Sequence, residues 1–312
     1  MHPPARPALD THRIIYRLPQ WIAAANSQEP DSAAFNAGAA LATLDWALRA
    51  QASFVPAALL RDRLALEAAV ACLALENRRD TVCEIRDALC LARPEEALGP
   101  AGDMFMAWRR LTRINLTTAA GMERVAKLLP PQLVAALPDT TRQAGTAVAG
   151  AAHILTGLLQ KFPRQEAAAL MLADVALAQA LRWDRVIPLL AAHLKRTEIR
   201  SLAQGTGTPE RYGHAAMVRA CATALGMMAD LGPRAERLRA IAPKLRAKGA
   251  EAALSLFLSH DAVSPSAMLS PMVMGTSQPM TDRAARRLCD RLVSLGGLRE
   301  LTGRATFRLY GV

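Results

Sequence analysis

The chain has 312 residues, 52% of them hydrophobic, enough to bury the core of one large or two ordinary domains. Ala and Leu dominate, aromatics make up only 4% and runs of Val, Ile and Thr are scarce, which argues against a β-rich fold and for helix nearly throughout. A net charge of +11 and a pI near 10.2 suit a partner of negative charge, such as nucleic acid or an anionic membrane surface.

No stretch stays apolar over the roughly 18 residues that a membrane span needs, and Met1 to Gln20 lacks the apolar run of a secretion signal, so a cytoplasmic location without membrane contact is expected. Cys72, Cys83, Cys90, Cys221 and Cys289 are odd in number and lack CxxC spacing, which points to reduced core thiols.

In chain order, residues 1–30 are expected to be irregular. Residues 31–248 are expected to form an irregular all-α body, with apolar residues at three- and four-residue steps and Pro or Gly as punctuation. Leu41, Leu44 and Leu48 make the first stripe, and Leu64, Ala68, Ala71 and Leu75 the second. Val82, Ile85 and Leu89 follow, with Asp80 as the expected cap, and Met104, Trp108 and Leu111 come after a loop at Pro94 to Gly102. Further stripes end at Pro130-Pro131, at Pro163 and near Trp183. Val186, Leu190 and Leu194 suggest one short helix, and Met217 to Met228 another that stops at Gly232-Pro233. Leu238, Ile241 and Leu245 complete the body, in which no repeat of fixed length is visible.

Residues 249–312 follow a different order. A helix over Ala250 to Ser259 is followed by a second opened by Ser264-Pro265, and by a third that Thr281 caps and Gly296-Gly297 ends. On the third, Ala284, Ala285, Leu288, Leu292 and Leu295 gather on one side and Arg283, Arg286 and Arg287 opposite, with Arg291 at the flank. Leu298 to Thr302 and Thr306 to Tyr310 can pair as a hairpin through Gly303-Arg304, with Phe307 and Leu309 alternating with Arg308 and Tyr310. A basic helix leading into a hairpin is the arrangement of a winged helix-turn-helix. Arg283, Arg286, Arg287 and Arg291 would meet a DNA major groove, and Arg304 and Arg308 in the wing would meet phosphate or the minor groove. A solvated surface face is the other reading of the same charges. From Arg234 onward thirteen basic residues stand against six acidic ones, so this quarter of the chain holds most of the charge surplus.

The segment TDRAARRLCDRLVSLGGLRELTGRATFRLYGV, Thr281 to Val312, resembles the winged-helix tails of several bacterial proteins, including those that follow Fic domains. Together with FNAGAALATLDWALRA at Phe35 to Ala50 and RDALCLARPEEALGPAG at Arg86 to Gly102, it is similar to a bacterial family, domain of unknown function 1403. That resemblance implies no assigned activity. One departure from the winged-helix pattern is the link from Ser270 to Pro279, longer than a tight helix-turn-helix allows and bordered by Met268, Met272, Met274 and Met280. These methionines read as core fillers or as an adaptable partner surface.

Catalytic motifs do not emerge. The His-Pro-Phe and Gly-rich, Arg-ending motif of Fic chemistry is missing, and Gln204 to Gly213 lacks the Gly-Lys-Ser/Thr ending of a phosphate loop. His2, His12, His153, His193, His214 and His260 show no zinc spacing, and His153 and His193 have no carboxylate partner visible in the sequence. Asp174 and Trp183 are the leading candidates for a buried polar site, against a capped or solvent-facing Asp and a core Trp. No cofactor or metal is expected. The sequence therefore points to a mainly α, cytoplasmic DNA-binding protein of the transcriptional-regulator type, whose body serves partner docking, ligand sensing or self-association. The alternatives are a non-enzymatic scaffold whose winged helix binds protein, and an enzyme with its site in the body.

Overall fold

The computed structural model describes residues 17–23, 29–50, 52–92, 95–135, 145–245 and 249–312. Most of the expected irregular N-terminal segment, His2, His12, Arg246 and Lys248 lie outside them; within that segment α1 (Gln20–Ala23) is a single helical turn.

The body consists of α2 (Pro30–Ala50), α3 (Ala57–Leu75), α4 (Val82–Cys90), α5 (Gly99–Arg113), α6 (Ala119–Lys127), α7 (Pro131–Val134), α8 (Ala147–Lys161), α9 (Glu166–Ala180), α10 (Arg196–Ala203) and α11 (Pro209–Ile241). Its spine is α11, about 50 Å long at 1.5 Å per residue, which packs on α2, α8 and α3. The pairs α3–α5 and α8–α9 complete the stack. The helix α9 is buried around its whole circumference from Ala168 to Ala178, so its lack of amphipathic pattern reflects a central position.

Three expectations need correction here. The α4 cap is Thr81, not Asp80: its hydroxyl accepts the Glu84 N–H while Glu84 accepts the Thr81 N–H, a capping box, and Asp80 instead holds Arg78. The stop at Gly232-Pro233 does not occur. Proline removes one helical hydrogen bond, but Leu231, Ala235 and Leu238 are fully buried on either side, and Gly232 lies so close to Phe54 that a Cβ would come within 2.0 Å of its ring. Packing carries the helix through.

The stripe at Val186 to Leu194 is not helical either. Pro188 disfavours helix at the residue before it, and residues 186–191 cross the core in an irregular path with Val186, Leu189, Leu190 and Ala191 buried. Buried backbone without regular pairing needs acceptors and donors, and Asp174 of α9 supplies one: its Oδ1 accepts the N–H groups of Leu189 at 3.2 Å and Leu190 at 3.0 Å.

Residues 249–312 comprise α12 (Ala250–Phe257), a five-residue π turn (Pro265–Leu269), α13 (Asp282–Ser294) and the antiparallel strands β1 (Arg299–Glu300) and β2 (Tyr310–Gly311). The second helix expected from Ser264-Pro265 is thus one turn, capped by the Ser264 hydroxyl on the Ala267 N–H. Val263 pairs with Tyr310, so three backbone segments lie in the order 263, 310, 300. Register sets Arg299 opposite Gly311 and Glu300 opposite Tyr310, a wider hairpin loop than the sequence suggested. Glu300 closes that loop by accepting the N–H groups of Thr302 and Gly303. The expected alternation also fails: Phe307 is exposed with φ 53°, while Leu309 through Val312 are all buried. The chain is mainly helical with a two-stranded C-terminal hairpin, and one contiguous core runs through both stretches.

Candidate nucleic-acid interface

The third C-terminal helix, α13, starts where the sequence placed it. Thr281 Oγ1 accepts the Ala284 N–H at 3.3 Å, and Asp282 sits at the positive end of the helix dipole. Its inner face buries Ala285, Leu288, Cys289 and Leu292; Gly296, with φ 70°, takes the left-handed conformation that ends it. Gly297 then packs on Leu238 and Ile241 of α11.

The opposite face is cationic. Arg283, Arg286, Arg287 and Arg291 are all exposed, and Arg286 pairs with Asp282 one turn back at 2.9 Å. Such i,i+4 surface pairs are weak and exchange readily with an external anion. Beside this face is a cleft of about 440 Å³, lined on one side by Pro265, Arg286 and Asp290 and on the other by Thr306, Phe307, Arg308 and Tyr310. Helix and hairpin loop are therefore adjacent walls of one groove.

The two hairpin arginines are engaged within the molecule. Arg304 forms an ion pair with Asp87 of α4, and Arg308 donates from Nε to the Arg304 carbonyl at 3.0 Å and lies 4.0 Å from Asp290. Asp290 also accepts from the Tyr310 hydroxyl at 3.4 Å, which puts one carboxylate in an otherwise basic groove. The long link is a hydrogen-bonded loop in which Val273 N–H donates to Gln278 O and Met280 N–H to Pro271 O. Its methionines divide: Met268 and Met280 are buried, Met272 and Met274 over 40% exposed.

Charge also fastens this stretch to the body. Asp261, almost fully buried, receives Arg86 on both oxygens (Nε–Oδ2 2.6 Å, Nη2–Oδ1 3.0 Å) and Arg63 Nε at 3.2 Å. Its backbone N–H donates to Asp62 Oδ2 at 2.9 Å, and Asp62 holds Arg109 in a two-point pair at 2.6 and 3.2 Å. Burial pulls Arg86 down, but the bond and charge of Asp261 outweigh it and hold Arg86 above its ordinary value. Burial lowers Arg63, which shares the same carboxylate and feels Arg299 and Arg86 beside it. His260 faces Arg113 at 3.4 Å; burial and then the charges of Arg109 and Arg113 push it down to about 3. None of this clamp is visible in sequence, because its members are separated by up to 199 residues.

The other sequence candidates make contacts within the fold. Asp174 is fully buried, neither capping nor facing solvent; burial pushes it up to about 7 against the pull of the Leu190, Leu189 and Ala191 amides. Trp183 donates its Nε1–H to Asp45 at 2.7 Å. His153 does have a carboxylate partner, Glu210 at 2.9 Å, a surface contact between α8 and α11. His193 bridges Leu189 O and Thr223 Oγ1, and burial lowers it. The Gly-rich stretch splits into a short turn after α10 and the first turns of α11, where Gly213 lets α8 approach, since a Cβ would lie 2.8 Å from that of Ala152. Cys72, Cys90, Cys221 and Cys289 are buried, with burial raising their thiols to about 12, whereas Cys83 is exposed. Among the described residues no group of three or more His, Cys, Asp or Glu is placed to hold a metal ion, and no helix is long and apolar enough to cross a membrane.

No curated protein matches the sequence. A family model described as "protein of unknown function (DUF1403)" matches residues 6–312, nearly the whole chain, and the protein belongs to that family.

Proposed function

We propose that the protein binds duplex DNA through residues 249–312 acting as a winged helix, and that it works as a transcriptional regulator. The observation that carries this reading is the exposed arginine face of α13 beside the hairpin groove. Arg283, Arg286 and Arg287 on one helix face can bond phosphates and guanine edges in a major groove, and Arg291 extends the same face toward the adjacent backbone. Arg308 stands at the groove, while Arg304 must leave Asp87 to reach a phosphate.

Titration of duplex DNA at several salt concentrations tests it. Replacing Arg283, Arg286 and Arg287 together by Ala is expected to weaken binding about a hundredfold and to lower the salt slope by about three. Binding unchanged by the triple substitution, or none at low salt, rejects the reading. Asp87→Asn is expected to release Arg304 and tighten binding about threefold at low salt. The exposed α6 substitution Glu123→Gln, which removes the same charge elsewhere, controls for net charge.

The half-exposed Met272 and Met274 favour a second reading, a protein-docking segment. Under it, Met272→Ser with Met274→Ser abolishes partner capture while the triple arginine variant retains it.

A further inference from the structure

Three of the exposed large hydrophobic side chains are on α1 and α2, remote in sequence from the groove: Trp21 is 56% exposed, Phe35 65% and Trp46 54%. Trp21 stacks on Phe35 with ring centroids 5.9 Å apart, which makes the patch continuous across both helices. Between the terminal residues of α2 the exposed positions Asp31, Phe35, Gly38, Ala42, Trp46 and Arg49 fall within an arc of about 80° at 100° per residue. The opposite face of α2 is the one packed on α11. A solvent-facing stripe with two large aromatics is unusual in a chain with so few aromatic residues.

The stripe is self-complementary. We infer that a second copy of this chain covers it, with the two α2 helices antiparallel about a twofold axis at the level of Ala40. In that register Gly38 faces Ala42 of the second copy, and Phe35 of each lies beside Trp46 of the other. A Cβ on Gly38 would meet nothing within 4 Å, so the backbones are free to approach there. Asp31, the acid in the first turn of α2, then faces Arg49, the base in its last turn, at both ends of the contact. Charge complementarity is what selects antiparallel pairing, since parallel packing would set like charges side by side. Among the described residues Arg49 pairs with Asp45, at 3.0 Å with two thirds of its side chain exposed, and Asp45 keeps Trp183 when Arg49 turns outward. The contact involves one helix face plus Trp21, which places it at the small end of specific interfaces, as expected of a weak, reversible dimer.

Sedimentation equilibrium of the full chain tests this without DNA, so its outcome is separate from that of the DNA reading. The native chain is expected to be a dimer that dissociates on dilution, and Trp46→Glu is expected to be a monomer at all concentrations. Circular dichroism controls for folding, which an exposed substitution should leave intact. Arg49→Asp is expected to weaken the dimer about tenfold by opposing two acids at each end, and Asp31→Arg in the same chain to restore it. A native chain that stays monomeric, or a dimer that survives Phe35→Glu with Trp46→Glu, overturns the proposal. Failure of the double charge reversal to restore the dimer overturns the antiparallel register.

Discussion

Asp62→Ala is expected to cost about 3–5 kcal/mol of folding stability, the largest effect of any single substitution considered for this chain. Asp62 and Arg109 expose only 3% and 7% of their side chains, so neither charge has water to fall back on. Removing the carboxylate leaves the Arg109 guanidinium buried, with the Phe105 ring 5.6 Å away as a weak substitute. It also removes the acceptor of the Asp261 N–H, and thereby one of the bonds that seat residues 249–312 against α3 and α5. The contrast is Arg78–Asp80, a surface pair of similar length whose loss should cost far less, because water screens both charges. Urea unfolding of the two variants side by side measures the difference. A cost below about 1 kcal/mol for Asp62→Ala would mean that water reaches the pair and that the clamp contributes little to docking.

That clamp marks the boundary of what the sequence discloses. Periodicity located most helices because each buries one face, and α13 was legible down to its cap, its cationic side and its glycine stop. Legibility failed where tertiary packing overrode a local signal. Pro233 is a breaker by itself, yet the buried residues on both sides of it keep α11 continuous. Residues 186–191 carry helical spacing but lie in the core as irregular chain, because Pro188 disfavours helix before it and Asp174 accepts the Leu189 and Leu190 amides. At the candidate site, the arginine types and their helical face were readable, but their partners were not. Nothing local to Arg304 announces Asp87, and nothing local to Asp261 announces Arg63 and Arg86. The exposure of Phe35 and Trp46 is likewise invisible in a pattern where apolar residues recur on every side of α2.

Asp174→Asn is expected to change how stability depends on pH, by up to about 4 kcal/mol between mildly acidic and neutral solution. Burial raises the folded carboxyl from its ordinary 3.8 to about 7. Between those values the folded chain keeps a proton that the unfolded chain has released. The stabilising contribution is therefore fully present below about pH 4 and is lost as pH rises toward 7, at about 1.4 kcal/mol per pH unit. His260 acts in the opposite sense. Its folded value is lowered from 6.5 to about 3, so the unfolded chain takes up a proton first and stability is lost as pH falls from about 6.5. The two slopes oppose one another between about pH 4 and 6.5, which should leave the native chain with a flatter profile than either group alone would give. Asn at 174 retains the oxygen that accepts the Leu189 and Leu190 N–H groups but cannot ionise, so it removes one slope and leaves the other. The variant should therefore gain stability, relative to the native chain, steadily as pH rises through this window. Subtracting the two urea-derived stability curves isolates Asp174 from every other titrating group. A difference that stays flat from about pH 4 to 7 would show that the carboxyl ionises normally inside the core, and that the amides at 189–191 are bound to a charged rather than a protonated group at mildly acidic pH.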